Sequence, residues 1–270
     1  MKVRYVVLLA MVALSVTGPI GLVSGQIATA PIHVLGFSWG NSLQIPMYIQ
    51  PAPQQWQNQT VYKAMDIWYN AQTWFVNTYE KGSGPVYQFV VTNNKTAAAQ
   101  NGVILTWNKT GNYGRLSILW GNTNWTYNYW PSNNQIYQIQ IGISIALESQ
   151  GFSLDQSDVE AIVVHELGHA LGLADLKNPY SMENDLMNTA APGRTIILPS
   201  TVDLYAIYQL GKIGIQNNND WTKYPATISL PNSIPYYVVT QKQIAIPEFN
   251  NELVIFAVSV FVGLIVKMRN

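Results

Sequence analysis

The chain has 270 residues, enough for one domain of ordinary size with additional segments at its ends. Hydrophobic residues make up 48% of it, so it can bury a core, whereas 10% charged residues and a formal net charge of zero exclude the basic patch that nucleic-acid binding needs. The lack of cysteine excludes disulfides and thiolate metal ligands, and three histidines narrow the choice of ligands for any metal site.

The first 25 residues have the order of a secretory signal peptide. A basic start precedes an apolar run at residues 5–16, and small residues follow that run. The pattern predicts that residues 1–25 are a signal peptide cleaved after Gly25, with Ala30 as a second cleavage position. An uncleaved membrane anchor is the alternative interpretation of the same run.

Residues 35–211 carry helical and strand patterns that together predict one α+β domain. A strand at 42–50 precedes a long helix at 55–79, whose apolar residues recur every three or four positions. Further strands are predicted from apolar runs or alternation at 86–92, 102–107, 115–120 and 137–146. A final helix is predicted to begin at Ser200 or Thr201 and to end at Gly211.

Between the last strand and the final helix lies the stretch "HELGHALGLAD", residues 165–175, in a further predicted helix. Ser157 and Glu160, three residues apart, have the pattern of a capping box and predict the start of this helix. His165 and His169 are four residues apart, so their imidazole rings project from the same helix face. Two histidines at this spacing, with a glutamate directly after the first, are typical of a zinc site whose glutamate serves as a base.

A catalytic zinc ion needs a third protein ligand and an open position for water. Gly172 can adopt a left-handed conformation and turn the chain, so that Asp175 returns toward the histidines with a carboxylate that zinc accepts. His33, the remaining histidine, is the alternative third ligand, and Asp175 would then orient a histidine. If the motif has no catalytic or metal-binding role, His165 and His169 are simply two partly buried histidines. The motif favours Zn²⁺ as the cofactor.

The same stretch, together with "NDLMNT" downstream, resembles the metzincin zinc endopeptidases, whose motif is His-Glu-x-x-His-x-x-Gly-x-x-His/Asp followed by a methionine turn. The terminal aspartate is similar to the snapalysin branch, and the order of elements is similar to the matrixin catalytic domain. The resemblance implies a twisted mixed sheet with a long N-terminal helix, a zinc-binding helix and a C-terminal helix. It also implies zinc ligands at His165, His169 and Asp175, the general base at Glu166, the motif glycine at Gly172 and the Met-turn at Met187.

Two features of the methionine turn stay open at this stage. Met182 is an alternative to Met187, and either methionine can instead be a core residue. No tyrosine follows Met187 at the position where some metzincins have one near the metal, so no residue is predicted to stabilise the transition state.

No propeptide fits between the signal peptide and the domain, which predicts an enzyme without zymogen latency.

The C-terminal part carries two further predictions. Residues 212–247 are rich in Asn and Pro and predict a stalk. Residues 248–270 contain an apolar run at 253–266 and a basic end, which predicts a membrane anchor and resembles the C-terminal sorting tails of archaeal surface proteins. As a helix the apolar run would span about 21 Å, less than the roughly 30 Å of a bilayer core, so a buried core helix is the alternative.

The predicted function is that of an extracellular, membrane-anchored zinc endopeptidase that acts on a protein or peptide substrate. Export agrees with four Asn-x-Ser/Thr acceptor sites for N-glycans, at Asn58, Asn94, Asn108 and Asn124. Two alternatives remain. One is a catalytically silent surface or adhesion protein with a protease fold, and the other is a metal-dependent hydrolase of a non-peptide amide.

Overall fold

The computed structural model describes residues 31–82, 84–110, 121–149, 152–176, 185–188 and 198–244. Three sequence predictions fall outside these ranges, namely the signal peptide, the C-terminal tail and the strand at 115–120. No helix within the ranges combines the length and the apolar character needed to cross a membrane.

The described residues form eight strands and five α-helices. In chain order they are β1 (Ile32–His33), β2 (Gln44–Ile49), α1 (Gln55–Phe75), β3 (Gln88–Val91), α2 (Lys95–Gln100), β4 (Gly102–Thr110), β5 (Gly121–Trp130), β6 (Gln135–Ser149), β7 (Phe152–Ser153), α3 (Gln156–Ala170), α4 (Thr201–Gln216), β8 (Thr227–Ile228) and α5 (Gln241–Ile244). A π-helical turn at Val76–Glu80 continues α1, and a 3₁₀ turn at Trp221–Lys223 precedes β8.

Five of these strands form a mixed sheet in the order β3-β2-β4-β6-β5. The first four run parallel to one another, whereas β5 runs antiparallel to β6. β7 pairs with the end of β6, and β1 pairs separately with β8. The prediction of an α+β fold with a mixed sheet is confirmed. β5 is an addition to the predicted strands, and within the described residues it pairs in this sheet with β6 alone, which makes it an edge strand.

The core lies between the sheet and the helices α1 and α3. Alternate isoleucines of β6 are 3% exposed or less, at Ile139, Ile141, Ile143 and Ile145. Complete burial of such a side chain contributes roughly 1.5–3 kcal/mol of transfer free energy. Trp68 of α1 is fully buried and donates its indole N–H to the Val164 carbonyl of α3 at 2.8 Å, which fixes the two helices against each other.

The start of α3 differs from the predicted capping box at Ser157 and Glu160. The observed N-cap is Asp155, whose carboxylate accepts the Asp158 N–H at 2.9 Å, and the Asp158 side chain completes the box. Aspartate is among the residues preferred at an N-cap. Glu160 is buried and forms an ion pair with Lys63 of α1 at 2.8 Å, so it serves helix packing instead.

The end of the final helix also differs from the prediction, because α4 continues through Gly211 to Gln216. A side chain at position 211 would place its Cβ 2.7 Å from Cγ1 of Val86 and 3.2 Å from the hydroxyl of Tyr87. Gly211 is therefore a point of close packing between α4 and the segment before β3. It does not end the helix.

Residues 212–244 lie against the body of the domain. β8 pairs with β1, and the segment after α4 buries four aliphatic side chains to 7% exposure or less, at Ile228, Ile234, Val239 and Ile244. The Asn- and Pro-rich composition from which a stalk is predicted at 212–247 does not reveal these positions, because the apolar residues lie in short runs without a helical or strand period. The domain boundaries stay predictions.

Candidate metal centre

Helix α3 brings three functional side chains together. His165, Glu166 and His169 hold ligand atoms that lie within 4.8 Å of one another. The two imidazole centroids are 4.7 Å apart and the ring planes stand at 88°, as residues one helical turn apart allow. His165 and Glu166 are 6% and 5% exposed, so most of this group is shielded from solvent.

Backbone carbonyls fix the orientation of both imidazoles. His165 Nδ1 lies 2.8 Å from the carbonyl oxygen of Leu186, and His169 Nδ1 lies 2.8 Å from that of Leu173. A carbonyl oxygen can only accept a hydrogen bond, so both Nδ1 atoms carry a proton. The neutral rings therefore present their Nε2 lone pairs, the form in which histidine binds a metal.

The chain reverses direction directly after α3. Gly172 has a φ of 99°, and the Leu173 N–H donates to the Gly168 carbonyl at 3.1 Å, which closes the end of the helix. A side chain at position 172 would place its Cβ 2.9 Å from Cδ1 of Leu210, so both the conformation and the available space require glycine. This turn directs Asp175 back toward the histidines.

The N-terminal strand holds the returning segment in place. The Leu35 N–H donates to the Gly172 carbonyl at 2.8 Å, and the Ala174 N–H donates to the His33 carbonyl at 2.9 Å. His33 thus contributes a backbone carbonyl next to the site. Among the described residues, the group of ligand atoms within 4.8 Å of one another contains neither the His33 imidazole nor Asp175, and of these two it is Asp175 whose oxygen contacts both imidazoles.

Asp175 completes a set of three donor atoms. Its Oδ1 lies 3.2 Å from Nε2 of His165 and 3.5 Å from Nε2 of His169. A tetrahedral zinc ion with bonds of about 2.0–2.1 Å separates its ligand atoms by about 3.3–3.4 Å, so these distances match edges of such a tetrahedron. Two lone pairs and a carboxylate oxygen this close repel one another unless a proton on an imidazole or a metal cation lies between them. The donor set therefore fits zinc, and the 52% exposure of the Asp175 side chain leaves one side open to solvent.

The charges of this group shift the pKa values of its members. Burial lowers the pKa of His165, but the Asp175 carboxylate, the Glu166 charge and the Leu186 carbonyl outweigh it, so the net shift is upward. Burial raises the pKa of Asp175, but hydrogen bonds from the two imidazoles in their protonated form outweigh this effect and hold that pKa well below the ordinary carboxyl value. Asp175 therefore stays ionised far into the acid range, and its carboxylate is available to a cation.

A short turn at residues 185–188 packs against α3 below the histidines. Met187 in this turn is fully buried. A side chain at Gly168 of α3 would place its Cβ 2.5 Å from the Met187 sulfur, so the glycine leaves the room that the methionine fills. The structure thus puts Met187 next to α3, whereas the alternative Met182 lies outside the described residues.

Strand β5 contributes two residues that the sequence analysis misses. Thr123 donates its hydroxyl to Oε2 of Glu166 at 2.5 Å. A side chain at Gly121 would place its Cβ 2.3 Å from Oε1 of Glu166 and 2.7 Å from Cγ2 of Ile162, so glycine is needed for the glutamate to fit. The edge strand therefore contacts both oxygens of the carboxylate. Thr123 is 43 residues from Glu166, and no local pattern indicates the contact.

Two buried aspartates next to the turn at 185–188 also escape the sequence analysis. Asp185 accepts the Met187 N–H at 3.0 Å, and Asp203 of α4 accepts the Ser200 N–H at 2.8 Å. The two carboxyl groups lie close enough for the Asp185 charge to act on Asp203, and a proton held between them would relieve the repulsion. Burial raises the pKa of Asp185, and burial together with the Asp185 charge raises the pKa of Asp203 well above its ordinary value.

No protein-family model matches the sequence, and no curated protein matches it either. Among solved structures the chain matches high choriolytic enzyme 1, a hatching-enzyme zinc protease from the medaka fish Oryzias latipes. The match has 14% identity and a TM-score of 0.35, and it covers 65% of this chain and 94% of that chain. A likeness of this degree carries no argument about function, so the functional conclusion rests on the residues of the site.

Proposed function

We propose that this protein is a zinc-dependent endopeptidase with His165, His169 and Asp175 as zinc ligands and Glu166 as general base. The main support is the convergence of two Nε2 atoms and one carboxylate oxygen at 3.2 and 3.5 Å, the spacing of zinc ligands, beside a buried glutamate. Structural zinc sites are closed by four protein ligands, whereas three ligands with an open position are typical of hydrolytic sites.

When bound, zinc polarises the scissile carbonyl and acidifies the attacking water. Glu166 then accepts the proton of that water and passes it to the amine that leaves, since its carboxylate lies beside the imidazoles and is not needed as a ligand. Thr123 and Gly121 hold this carboxylate from the side of the sheet. The Leu186 and Leu173 carbonyls keep the imidazoles turned toward the centre.

The edge strand β5 offers the substrate a place beside Glu166. Its residue Thr123 contacts Glu166 directly, and among the described strands β5 has no partner on its outer edge. The unpaired N–H and C=O groups of an edge strand can bind an extended peptide as an additional strand. A peptide bound in this way passes the general base with its backbone, so we expect cleavage within chains.

The finer assignment rests on the sequence motifs. We propose a catalytic domain of the metzincin type with a snapalysin-like aspartate, and a chain that is exported and held at the outer membrane surface by residues 248–270.

The acceptor sites for N-glycans differ in access. Asn124 is exposed on β5, whereas Thr60 of the Asn58 site is 1% exposed within α1. Asn124 is therefore the better acceptor in the folded chain.

Zinc content and peptidase activity of the purified chain test this function together. The wild type is expected to bind zinc stoichiometrically and to cleave casein, and a chelator is expected to stop cleavage until zinc is restored. Glu166→Gln is expected to keep zinc and to lose about 100-fold or more in turnover, because a general base contributes about 10²–10⁴-fold. A zinc-loaded wild type that cleaves no protein would contradict the proposal and favour the silent adhesion protein.

A further inference from the structure

A row of aromatic side chains extends the active site along β5. Trp125, Tyr127 and Tyr129 follow Thr123 at every second position of the strand. The ring of Tyr127 lies 6.4 Å from that of Tyr129, and the ring of Tyr129 lies 5.6 Å from that of Trp221. We call Trp125, Tyr127, Tyr129 and Trp221 the aromatic row.

The pairing of β5 with β6 fixes the face on which the row lies. Its three strand residues stand opposite buried core isoleucines of β6, in the order Ile141, Ile139 and Ile136. Thr123 stands opposite the buried Ile143, on the same face, and contacts Glu166. The intervening residues point to the opposite face of the sheet, at Asn124, Thr126 and Asn128. The row therefore starts at the general base and leads away from it on the catalytic side.

Three rings of the row are open to solvent. Trp125 and Tyr129 are each 41% exposed and Trp221 is 36% exposed, whereas Tyr127 is partly buried against the core. A contiguous exposed aromatic surface on a soluble domain usually marks a binding site. Residues 121–140 contain no Asp, Glu, Lys, Arg or His, and Asp220 and Lys223 on either side of Trp221 carry opposite charges, so the row as a whole suits an uncharged partner. Continuity with Glu166 points to the substrate as that partner.

We propose that the aromatic row selects substrates, and that it takes extended peptides with aromatic or large apolar side chains at alternating positions on one side of the scissile bond. The inference rests on the proposed peptidase function. A peptide paired with β5 sends every second side chain to the face of the row. Pairs of aromatic side chains, and pairs of aromatic with β-branched side chains, are among the favourable neighbours across strands.

Cleavage of a mixture of denatured proteins, with the cut positions read by mass spectrometry, tests this inference. The wild type is expected to enrich Phe, Tyr, Trp and Leu at alternating positions on one side of the cut. For a peptide with alternating aromatic residues, Trp125→Ala and Tyr129→Ala are expected to raise KM about 10-fold with kcat within about twofold, the signature of lost uniform binding. Asn128→Ala, on the opposite face of β5, is the matched control and is expected to keep the wild-type KM.

A binding measurement keeps this inference separate from the proposed function. A labelled peptide of alternating Tyr and Ser, titrated into the Glu166→Gln protein and followed by fluorescence anisotropy, reports binding without hydrolysis. Loss of binding on adding Trp125→Ala or Tyr129→Ala, but not Asn128→Ala, would support the row as the binding surface. If the wild type fails to bind zinc or to cleave casein while peptide binding still depends on the row, the peptidase proposal is contradicted and the row remains a peptide-binding surface.

Four outcomes would overturn the inference itself. The first is a set of cuts with no side-chain preference, and the second is equal peptide binding by the row variants and the control. The third is a dimer in sedimentation experiments that Trp125→Ala dissolves, because the edge would then bind a second copy of the chain. The fourth is binding of a neutral oligosaccharide, and not of the peptide, at the same residues.

Discussion

Asp175 is the residue that distinguishes this site from one built on three histidines. A carboxylate in place of a neutral imidazole lowers the net charge around a zinc ion by one unit, which weakens the acidification of the attacking water. The same charge attracts the cation more strongly. In the proposed mechanism the placement of Glu166 then matters more, so we expect Thr123, which donates a hydrogen bond to Glu166 at 2.5 Å, to be important for turnover.

Replacement of Thr123 by valine tests this role. Thr123→Val keeps the shape of the side chain but removes the hydroxyl, so the Glu166 carboxylate loses the partner that orients it. We expect kcat to fall by about 10–100-fold, since a hydrogen bond to a charged group contributes about 1.5–3 kcal/mol. Zinc content and KM are expected to stay unchanged.

The conservative variant Thr123→Ser is the control for this prediction, because serine restores the hydroxyl. Steady-state kinetics on one fluorogenic peptide compare the two variants. Similar kcat values for the valine and serine variants would show that the hydroxyl has no role in placing Glu166.

The turn at residues 185–188 is the element that connects the parts of the site. Its Leu186 carbonyl orients His165, and its Met187 carbonyl accepts the Leu176 N–H at 3.0 Å, next to Asp175. Asp185 of the turn lies beside Asp203 of α4, and its charge raises the pKa of that residue, so the two carboxyls form a coupled pair. A disturbance of that pair therefore reaches two of the proposed ligands.

The pair predicts how stability depends on pH. Both carboxyls have a raised pKa in the folded chain, so the folded state binds protons more tightly than the unfolded state. Their contribution to the free energy of unfolding is present at acid pH and is lost as pH rises from the ordinary carboxyl pKa of about 4 through the folded values. The hydroxyl of Tyr236, 3.3 Å from Asp185, is the titratable group that faces the pair from a third segment.

Asp203→Asn is the variant that tests this dependence. The amide can donate a hydrogen bond to Asp185 without titrating, so the variant is expected to lose part of the decline in stability above pH 4 that the wild type shows. Thermal unfolding of both proteins as a function of pH, at one buffered free zinc concentration, provides the comparison. Parallel curves for the two proteins would show that the pair does not share a proton.

Local patterns predict the parts of the site that lie within one helix and its turn. His165, Glu166 and His169 share α3, and the left-handed conformation at Gly172 is a local demand, so their spacing is sufficient to place them. Thr123 and Asp203 reach the site from other elements. Contacts between such distant segments cannot be predicted from the spacing of residues along the sequence. β5 is not predicted although Trp125, Tyr127 and Tyr129 alternate with Asn and Thr, which is a strand pattern; its asparagines disfavour a strand and weaken that signal, and pairing with β6 overrides them.

At the scale of the whole molecule, the two ends of the described chain close the domain together. β1 pairs with β8, and Ile32 and Ile228 are 0% and 7% exposed. The segment that begins with β1 also holds the turn before Asp175 through the Leu35 N–H. The integrity of the site therefore depends on residues far along the chain.

Two shortened chains test this dependence. A chain that ends at residue 246 keeps the buried residues after α4 and is expected to be folded, soluble and active. A chain that ends at residue 226 loses β8 and four buried aliphatic side chains, each worth roughly 1.5–3 kcal/mol, against a usual total stability of about 5–15 kcal/mol. We expect it to unfold and to lose zinc. Aggregation of the longer chain would indicate that residues 253–266 belong to the core.

The central claim is that Asp175 is the third zinc ligand, and the zinc content of two alanine variants tests it most directly. Asp175→Ala and His33→Ala are each dialysed at one buffered free zinc concentration, and bound zinc is measured by mass spectrometry. Asp175→Ala is expected to lose its zinc, with an affinity loss beyond the roughly 10–100-fold typical of a group that only orients a ligand. His33→Ala keeps the backbone carbonyl that binds Ala174 and is expected to retain stoichiometric zinc. Stoichiometric zinc in Asp175→Ala, or its loss in a folded His33→Ala, would contradict the assignment.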